Sequence, residues 1–368
     1  MNGEPVREFE INGRKVGPGR PTYIVAEMSA NHGGNFDTAV RIVRAAKAAG
    51  ADAIKLQTYT PDTLTICCDA PPFKIAGGTL WDGRTLYELY ADAATPWEWH
   101  PKLMRVAVEE ELDCFSTAFD ESAVEFLERL GVPIHKAASF ELVDLALIER
   151  LARTGKPLIL STGMATIEEI TEAVETASRA GAGPLALLKC TSAYPAPSDE
   201  MNLRAIRTLA ETFRVPIGLS DHTLGATAAV AAVALGACML EKHLTLSREA
   251  PSADQAFSQT PEEFRRMVDA VREVERALGS SRFGPGPEES KSRVFRRSLF
   301  VVKAVRAGEA LTARNVRSIR PGAGLAPRYL RQILGRRASR DIARGTPLTW
   351  DLVTGSGAGE TAGSRKAA

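Results

Sequence analysis

Two lysines, Lys55 and Lys136, sit in short apolar runs, Ala53-Ile-Lys-Leu-Gln57 and His135-Lys-Ala-Ala-Ser139, which finish in amide or hydroxyl residues. Ser116-Thr117 and Ser161-Thr162-Gly163 close two further runs of the same kind. Lysine supplies a point charge and hydroxyls donate to phosphate oxygens, so the set suits a ligand that carries phosphate and carboxylate. One lysine at a strand end commonly snorkels to solvent, but two on different runs, both among hydroxyls, favour the ligand. His222 and His243 end two neighbouring runs. Two imidazoles there can share one divalent metal, with water and substrate filling its other positions, or can form a hydrogen-bonded structural pair. Glu27 ends the first run, ahead of Asn31-His32-Gly33-Gly34, and is either an acid, base or polar anchor, or a carboxylate that orients a lysine. Asp254, in the loop after the last run, is a substrate contact or a solvated acid. Among the other histidines, His100 in Trp97-Glu-Trp-His-Pro101 is expected to cap a helix or pack on tryptophan, and His135 to alternate away from Lys136.

The elements that must position these groups are read from the same runs. Eight short β-rich segments begin at Tyr23, Ala53, Cys114, His135, Pro157, Leu185, Pro216 and Cys238. Amphipathic stretches such as Asp37–Ala49, Glu121–Leu130 and Ile167–Ala180 lie between them. Strand followed by helix, eight times over, predicts an α/β fold of the (β/α)8 TIM-barrel type. A doubly wound open sheet also alternates, but eight units favour closure. In a barrel the chemistry gathers at the C-terminal strand ends, which is where the polar residues fall. Asn12-Gly13 and Gly17-Pro-Gly19 predict a hairpin before the first strand. The expected organisation is hairpin plus barrel over 1–278, a Gly/Pro/Ser-rich linker over 279–294, a small C-terminal domain over 295–353 and a disordered tail over 354–368.

Composition bounds the partners. The 368 residues include 46 Lys and Arg against 45 Asp and Glu, a net charge of +1, which argues against nucleic acid or an anionic membrane as the main partner. Five cysteines without a CxxC form neither a disulfide framework nor a zinc-thiolate site, so a reducing cytoplasm is expected. The N-terminus lacks the apolar core of a signal peptide. The uncharged stretch from Leu224 to Leu240 contains Gly236 and is read as a buried helix leading into a buried strand, not a membrane span.

Several motifs together resemble one family. Ala26-Glu-Met-Ser-Ala-Asn-His-Gly-Gly34, Lys55-Leu-Gln-Thr58, Ser161-Thr-Gly-Met164, Gly218-Leu-Ser-Asp-His-Thr223 and Glu241-Lys-His-Leu-Thr245 are similar to sialic acid synthases, which condense phosphoenolpyruvate with an amino sugar. Arg296-Arg-Ser298 and Val316-Arg-Ser-Ile-Arg-Pro-Gly322 resemble the antifreeze-like (SAF) domain of those enzymes. The resemblance spans about residues 20 to 353. Leu80–Tyr90, Thr95-Pro-Trp-Glu-Trp-His100 and Leu311–Asp351 narrow it to the pseudaminic acid synthase branch, whose acceptor is 2,4-diacetamido-2,4,6-trideoxy-altrose. The alternative is an N-acetylneuraminate or legionaminate synthase taking a mannosamine-type sugar.

The resemblance implies a divalent metal, Mn or Mg, at His222 and His243. It implies phosphoenolpyruvate held by Lys55, Thr117, Lys136, Ser139 and Ser161, and sugar held by Glu27, Gln57, Tyr194 and Asp254. It further implies a domain-swapped, head-to-tail homodimer in which one subunit's C-terminal domain caps the other's barrel and offers Arg320 to the sugar. Two departures stand out: Ser116-Thr-Ala-Phe119 where the family has Ser-Thr-Pro-Phe, expected to loosen the turn, and Ala30 where a Ser-Gly pair is usual. Two other readings compete. A synthase acting on a sugar phosphate shares the barrel but gives no reason for the C-terminal domain. A carbohydrate-binding protein with an inactive barrel is opposed by the intact set of polar strand ends.

Overall fold

The computed structural model describes residues 8–249 and 252–355. Two antiparallel strands, β1 (Phe9–Ile11) and β2 (Arg14–Val16), form the hairpin that Asn12-Gly13 turns, both residues at positive φ. Eight parallel strands then close a barrel: β3 (Tyr23–Glu27), β4 (Ala53–Thr58), β5 (Asp113–Ala118), β6 (His135–Ala137), β7 (Leu158–Ser161), β8 (Leu185–Cys190), β9 (Ile217–Asp221) and β10 (Met239–His243). Pairing of β10 with β3 completes the ring, with His243 opposite Glu27, and Glu27 is in turn opposite Lys55 on β4. The helices around it are α1 (Phe36–Ala48), α2 (Pro61–Leu64), α3 (Leu86–Ala93), α4 (His100–Glu109), α5 (Glu121–Leu130), α6 (Leu145–Ala152), α7 (Ile167–Arg179), α8 (Ala205–Phe213), α9 (Thr227–Ala234) and α10 (Pro261–Leu278).

Local chemistry starts these helices where they start. Asn35, Asp120 and Asp144 accept from backbone N–H groups of the first turns of α1, α5 and α6. Reciprocal capping boxes, Thr85 with Glu88, Thr166 with Glu169 and Thr260 with Glu263, open α3, α7 and α10. The apolar stripes of the helices pack on the outward residues of the strands, such as Ile24, Ala26, Ile54, Leu56 and Leu240.

The inward faces follow a second rule. Strand side chains alternate, so Tyr23, Val25 and Glu27 share one face, as do Ala53, Lys55 and Gln57, and Met239, Glu241 and His243. On each face the early residues are apolar and the last are polar. The apolar ones fill the lower barrel with Phe115, Ile134, Ile159 and Leu188, and the hairpin residues Phe9, Ile11 and Val16 close that end. The polar ones are left at the C-terminal mouth. Ala118, where the family's proline would stand, ends β5 in register with Thr58.

The chain divides into two compact units between Gly279 and Ser280. The second has its own core, including Leu299, Val301, Leu311, Ile333 and Leu348, around the antiparallel pair β11 (Ser298–Val301) and β12 (Val316–Ile319), with a short helix α12 (Leu330–Ile333). The segment expected as a plain linker contains a helix, α11 (Pro287–Lys291). Its Pro at the start, acidic Glu288 and Glu289 in the first turn and Lys291 at the end all favour a helix, which outweighs the Gly-rich residues before it. The expected tail lies outside the described residues except for Thr354 and Gly355. Thr354 is hydrogen-bonded through both its N–H and its hydroxyl to the Arg337 carbonyl, so order runs beyond the expected boundary at 353. No helix among the described residues is long and apolar enough to cross a membrane, and the uncharged stretch 224–240 forms α9 and leads into β10.

Candidate active site at the mouth of the barrel

The inward polar residues of the strands line a cavity of ≈ 400 Å³. Eight expected residues from the strands and their ends line it: Glu27, Lys55, Gln57, Lys136, Ser139, Ser161, His222 and His243. Tyr194 and Asp254 line it from the loops after β8 and β10. Thr117 is the exception. It is fully buried behind Lys55, and its hydroxyl accepts from Lys55 Nζ at 3.0 Å instead of facing the cavity. Arg320 lies in the C-terminal unit, one residue past β12, with its side chain exposed.

The lysines meet at a residue to which the motifs assigned no role. Glu241 Oε1 lies 2.8 Å from Lys136 Nζ and 3.2 Å from Lys55 Nζ, and Glu27 Oε2 lies 2.9 Å from Lys55. Burial would raise the Glu241 carboxyl, but the two ammonium groups outweigh it and hold it at about 2. Burial would likewise lower Lys55, and Glu241 and Glu27 reverse that, keeping it above the ordinary lysine range. Glu27 goes the other way: burial raises its carboxyl to about 7 against the pull of Lys55. Lys55 spends its three N–H groups on Thr117, Glu27 and Glu241. Lys136 has one partner among the described residues, Glu241, which leaves two N–H groups for a ligand. Burial lowers its ammonium below the usual lysine value.

Hydroxyls stand ready beside it. Ser161 Oγ is buried without a hydrogen-bond partner among the described residues, and Ser139 Oγ accepts from the Gly163 N–H at 3.2 Å. Gly163 owes its identity to this closeness, since a Cβ there would stand 2.2 Å from Ser192 Oγ and 2.7 Å from Ser139 Oγ. Gln57 Nε2 donates to Glu27 Oε1 at 3.1 Å and to Ser29 Oγ at 2.9 Å, which fixes Glu27 toward the cavity. Tyr194 stacks at a tilt on His222, with ring centroids 4.6 Å apart.

Among the residues of the cavity, the two imidazoles are the ones that could hold a divalent cation. Their rings are 5.4 Å apart. His222 Nδ1 lies 3.0 Å from the Thr191 carbonyl, which can only accept, so Nδ1 carries a proton and Nε2 is the nitrogen left to face a cation; burial would lower this imidazole, but the Cys190 thiol and the Thr191 carbonyl raise it above the ordinary value. His243 Nδ1 is buried with no hydrogen-bond partner among the described residues, and burial together with His222 keeps that ring neutral, the form that ligates. Among the described residues no group of three or more His, Cys, Asp or Glu is placed to hold a metal ion.

The remaining histidines are structural. His135 turns outward to Glu128, Nε2 to Oε1 2.8 Å, as alternation requires. His100 begins α4 and bonds Thr58 Oγ1 at 2.9 Å, but its ring meets Phe126; the tryptophan contact expected of it belongs to His32, on Trp99. Besides Glu241, sequence reasoning missed Glu141 and Cys190. Both line the cavity, and burial raises the Glu141 carboxyl to about 7. Glu241 was legible as an inward residue two positions before His243; Glu141 carries no such periodic signal.

The NeuB family pattern matches residues 42–283, and the SAF domain pattern matches residues 296–354. The chain is 46% identical over 329 residues to the pseudaminic acid synthase of Campylobacter jejuni strain 81-176, covering 89% of this chain and 96% of that one. It is 46% identical over 336 residues to the pseudaminic acid synthase of Helicobacter pylori, covering 91% and 98%. Among solved structures, the N-acetylneuraminic acid synthetase of Leptospira borgpetersenii in complex with citrate superposes with a TM-score of 0.70 at 30% identity, over 78% of this chain and 95% of that one.

Proposed function

The chain belongs to the NeuB family, a family of phosphoenolpyruvate-dependent nonulosonic acid synthases, and from that premise we propose that it is the synthase for pseudaminic acid. The reaction condenses phosphoenolpyruvate with 2,4-diacetamido-2,4,6-trideoxy-altrose and water and releases phosphate. One feature of the cavity carries the chemistry: a buried lysine with two N–H groups uncommitted among the described residues and a serine hydroxyl without a partner among them, in a lining shared with two imidazoles.

Lys136, Ser139 and Ser161 hold the phosphate of phosphoenolpyruvate, while Lys55, anchored by Thr117, sets the charge around its carboxylate. The C3 carbon of phosphoenolpyruvate forms a bond to the aldehyde carbon of the open-chain sugar, whose oxygen takes up a proton. Water adds at C2, and the C2–O bond then breaks with the electron pair leaving on phosphate. Glu27, with its carboxyl raised to about 7 and oriented by Gln57, is suited to hold or move a proton at the sugar near neutral pH. Tyr194 and Asp254 complete the sugar side. Glu241 and, in part, Glu27 already offset the two lysines, whereas phosphoenolpyruvate brings a charge of about −2.5 to −3. A divalent Mn or Mg ion at His222 and His243 would supply the missing positive charge and polarise the aldehyde carbonyl.

The decisive assay mixes the protein with phosphoenolpyruvate, Mn and one sugar at a time and measures phosphate release. Release with the diacetamido-altrose and not with mannosamine-type sugars is expected. Release with N-acetylmannosamine, or with its diacetamido trideoxy relative, moves the assignment to neuraminate or legionaminate synthesis. A response to a sugar phosphate alone moves it to the other synthase class, and none with any sugar favours a binding role.

In the same reading the protein works in a reducing cytoplasm, in keeping with its free cysteines, as a head-to-tail homodimer in which Arg320 of the partner subunit reaches the sugar. The exposed Arg320 and the SAF match support that arrangement. Arg320→Ala and His222→Ala chains, each inactive alone, are then expected to regain phosphate release on mixing, because one barrel in each mixed dimer has both groups. Proven subunit exchange without recovery would remove the shared site.

A further inference from the structure

A second pair of buried charges lies behind the cavity, on the outward side of β9 and β10. Ile217 and Leu219 on β9 and Leu240 on β10 pack under the surrounding helices. The next outward position on each strand is charged: Asp221 on β9 and Lys242 on β10. The two are opposite each other in the parallel register, and each side chain is 1% exposed. Lys242 Nζ donates to Asp221 Oδ2 at 2.7 Å and also to the Thr223 carbonyl. Asp221 Oδ1 accepts from the Thr223 N–H at 2.8 Å. Neither residue lines the cavity.

Stability alone does not account for this pair. Taking two charges out of water is expensive, and well-packed apolar side chains of similar volume commonly hold a core as well or better. What the ion pair adds is a fixed distance and direction. Asp221 and Thr223 flank His222, and Lys242 precedes His243. One ammonium group, on the residue next to His243, therefore grips the chain on both sides of His222. Alternation turns Lys242 outward and His243 inward, so the grip is made from behind the imidazoles. The paired ladder of β9 and β10 stops at Asp221 and Lys242. The histidine carbonyls bond elsewhere, His222 to the Ala196 N–H at 3.0 Å and His243 to the Gln259 N–H at 2.9 Å. Past the end of the ladder, the bonds of Lys242 tie the segment that carries His222 to the strand that carries His243.

We infer that the Asp221–Lys242 pair is a clamp that sets the spacing of His222 and His243 for a shared divalent cation. The inference rests on the metal reading in the function proposed above. Asp221 and Lys242 are positioning residues, since they act through the imidazoles and reach neither substrate nor cation. Without the clamp, residues 222 and 223 can turn independently of β10, and the two rings, 5.4 Å apart in the structure, lose their common aim. Groups that orient metal ligands from outside the coordination shell are worth about 10–100-fold in metal affinity.

The test joins titration calorimetry with Mn to urea denaturation of the metal-free protein. Lys242→Met by itself strands Asp221 as a lone buried charge, so the deciding variant is Asp221→Asn combined with Lys242→Met. It removes both charges together, and the asparagine oxygen can still accept from the Thr223 N–H. The expected result is a denaturation midpoint close to the parent's and an Mn affinity lower by about 10–100-fold. A pair that serves only stability gives the opposite pattern, a lower midpoint with Mn affinity held. Asp221→Leu combined with Lys242→Met serves as the second variant should the first fail to fold. Mn affinity within twofold of the parent's in the folded variants overturns the clamp and leaves the proposed function standing. A parent whose Mn binding His222→Ala does not weaken overturns the metal reading and the clamp together, while phosphate release with the diacetamido-altrose still decides the synthase assignment separately.

Discussion

Lys55→Met is expected to destabilise the barrel by about 3–5 kcal/mol, a size seen when one partner of a buried ion pair is removed and the other left uncompensated. Lys55 is the hub of the buried charges, with Thr117, Glu27 and Glu241 all within 3.2 Å of its Nζ. Without it Glu27 keeps only the amide of Gln57, while Glu241 still has Lys136. Urea denaturation should therefore show a lower midpoint for Lys55→Met than for Lys136→Met, which leaves Glu241 paired with Lys55. Activity should divide differently. Lys136→Met keeps the fold but removes the ammonium with free donors, at a cost of about 10²–10³ in phosphate release.

The deficit in Lys55→Met also carries a sign with pH. Burial already raises Glu27 to about 7 with Lys55 present, and removing the cation raises it further. The folded state then holds a proton that the unfolded state has released, so stability falls as pH rises from about 5 toward 8 and recovers on acidification. A variant as stable as the parent at pH 8 would mean that Glu27 and Glu241 do not depend on Lys55.

His222→Ala is expected to lower phosphate release by about 10³-fold or more, because several kcal/mol of charge stabilisation disappears with the cation. Chelation should abolish release by the parent protein, and added Mn should restore it. The same Mn concentration should not restore the variant. Titration calorimetry gives a readout free of turnover: the variant should lose more Mn affinity than the 10–100-fold typical of changes outside the ligand shell. Full activity after chelation, with metal-free protein verified, would place the catalytic power in the lysines and Glu27 alone.

How much of this was legible beforehand depends on the period of each element. A strand repeats every two residues, so Lys55 with Gln57, and Glu241 with His243, announce a shared face as soon as the strand is recognised. Apolar residues at the start of each run and polar ones at its end put the polar groups at the C-terminal mouth of the barrel, where the cavity lies. Caps such as Asp120 and the Thr166–Glu169 box are local, and they marked helix starts directly. Thr117 shows the limit. Its type suits phosphate, and only the path of the Lys55 side chain turns it into a support.

The sequence by itself determined the barrel, the inward polar residues and the family, because alternation, capping and ordered motifs are written in neighbouring positions. Tertiary structure decided what those residues do to one another. Closure of β10 onto β3 carries Glu241 to Lys55 and Lys136, and no local pattern encodes that meeting. It also decided that the segment after β4 lines the cavity, since the Trp81–Ala253 hydrogen bond joins loops far apart in the chain. Spacing sets which face a side chain occupies; what lies opposite that face is set by the closing of the barrel, and with it the charge, burial and reach of every group in the cavity.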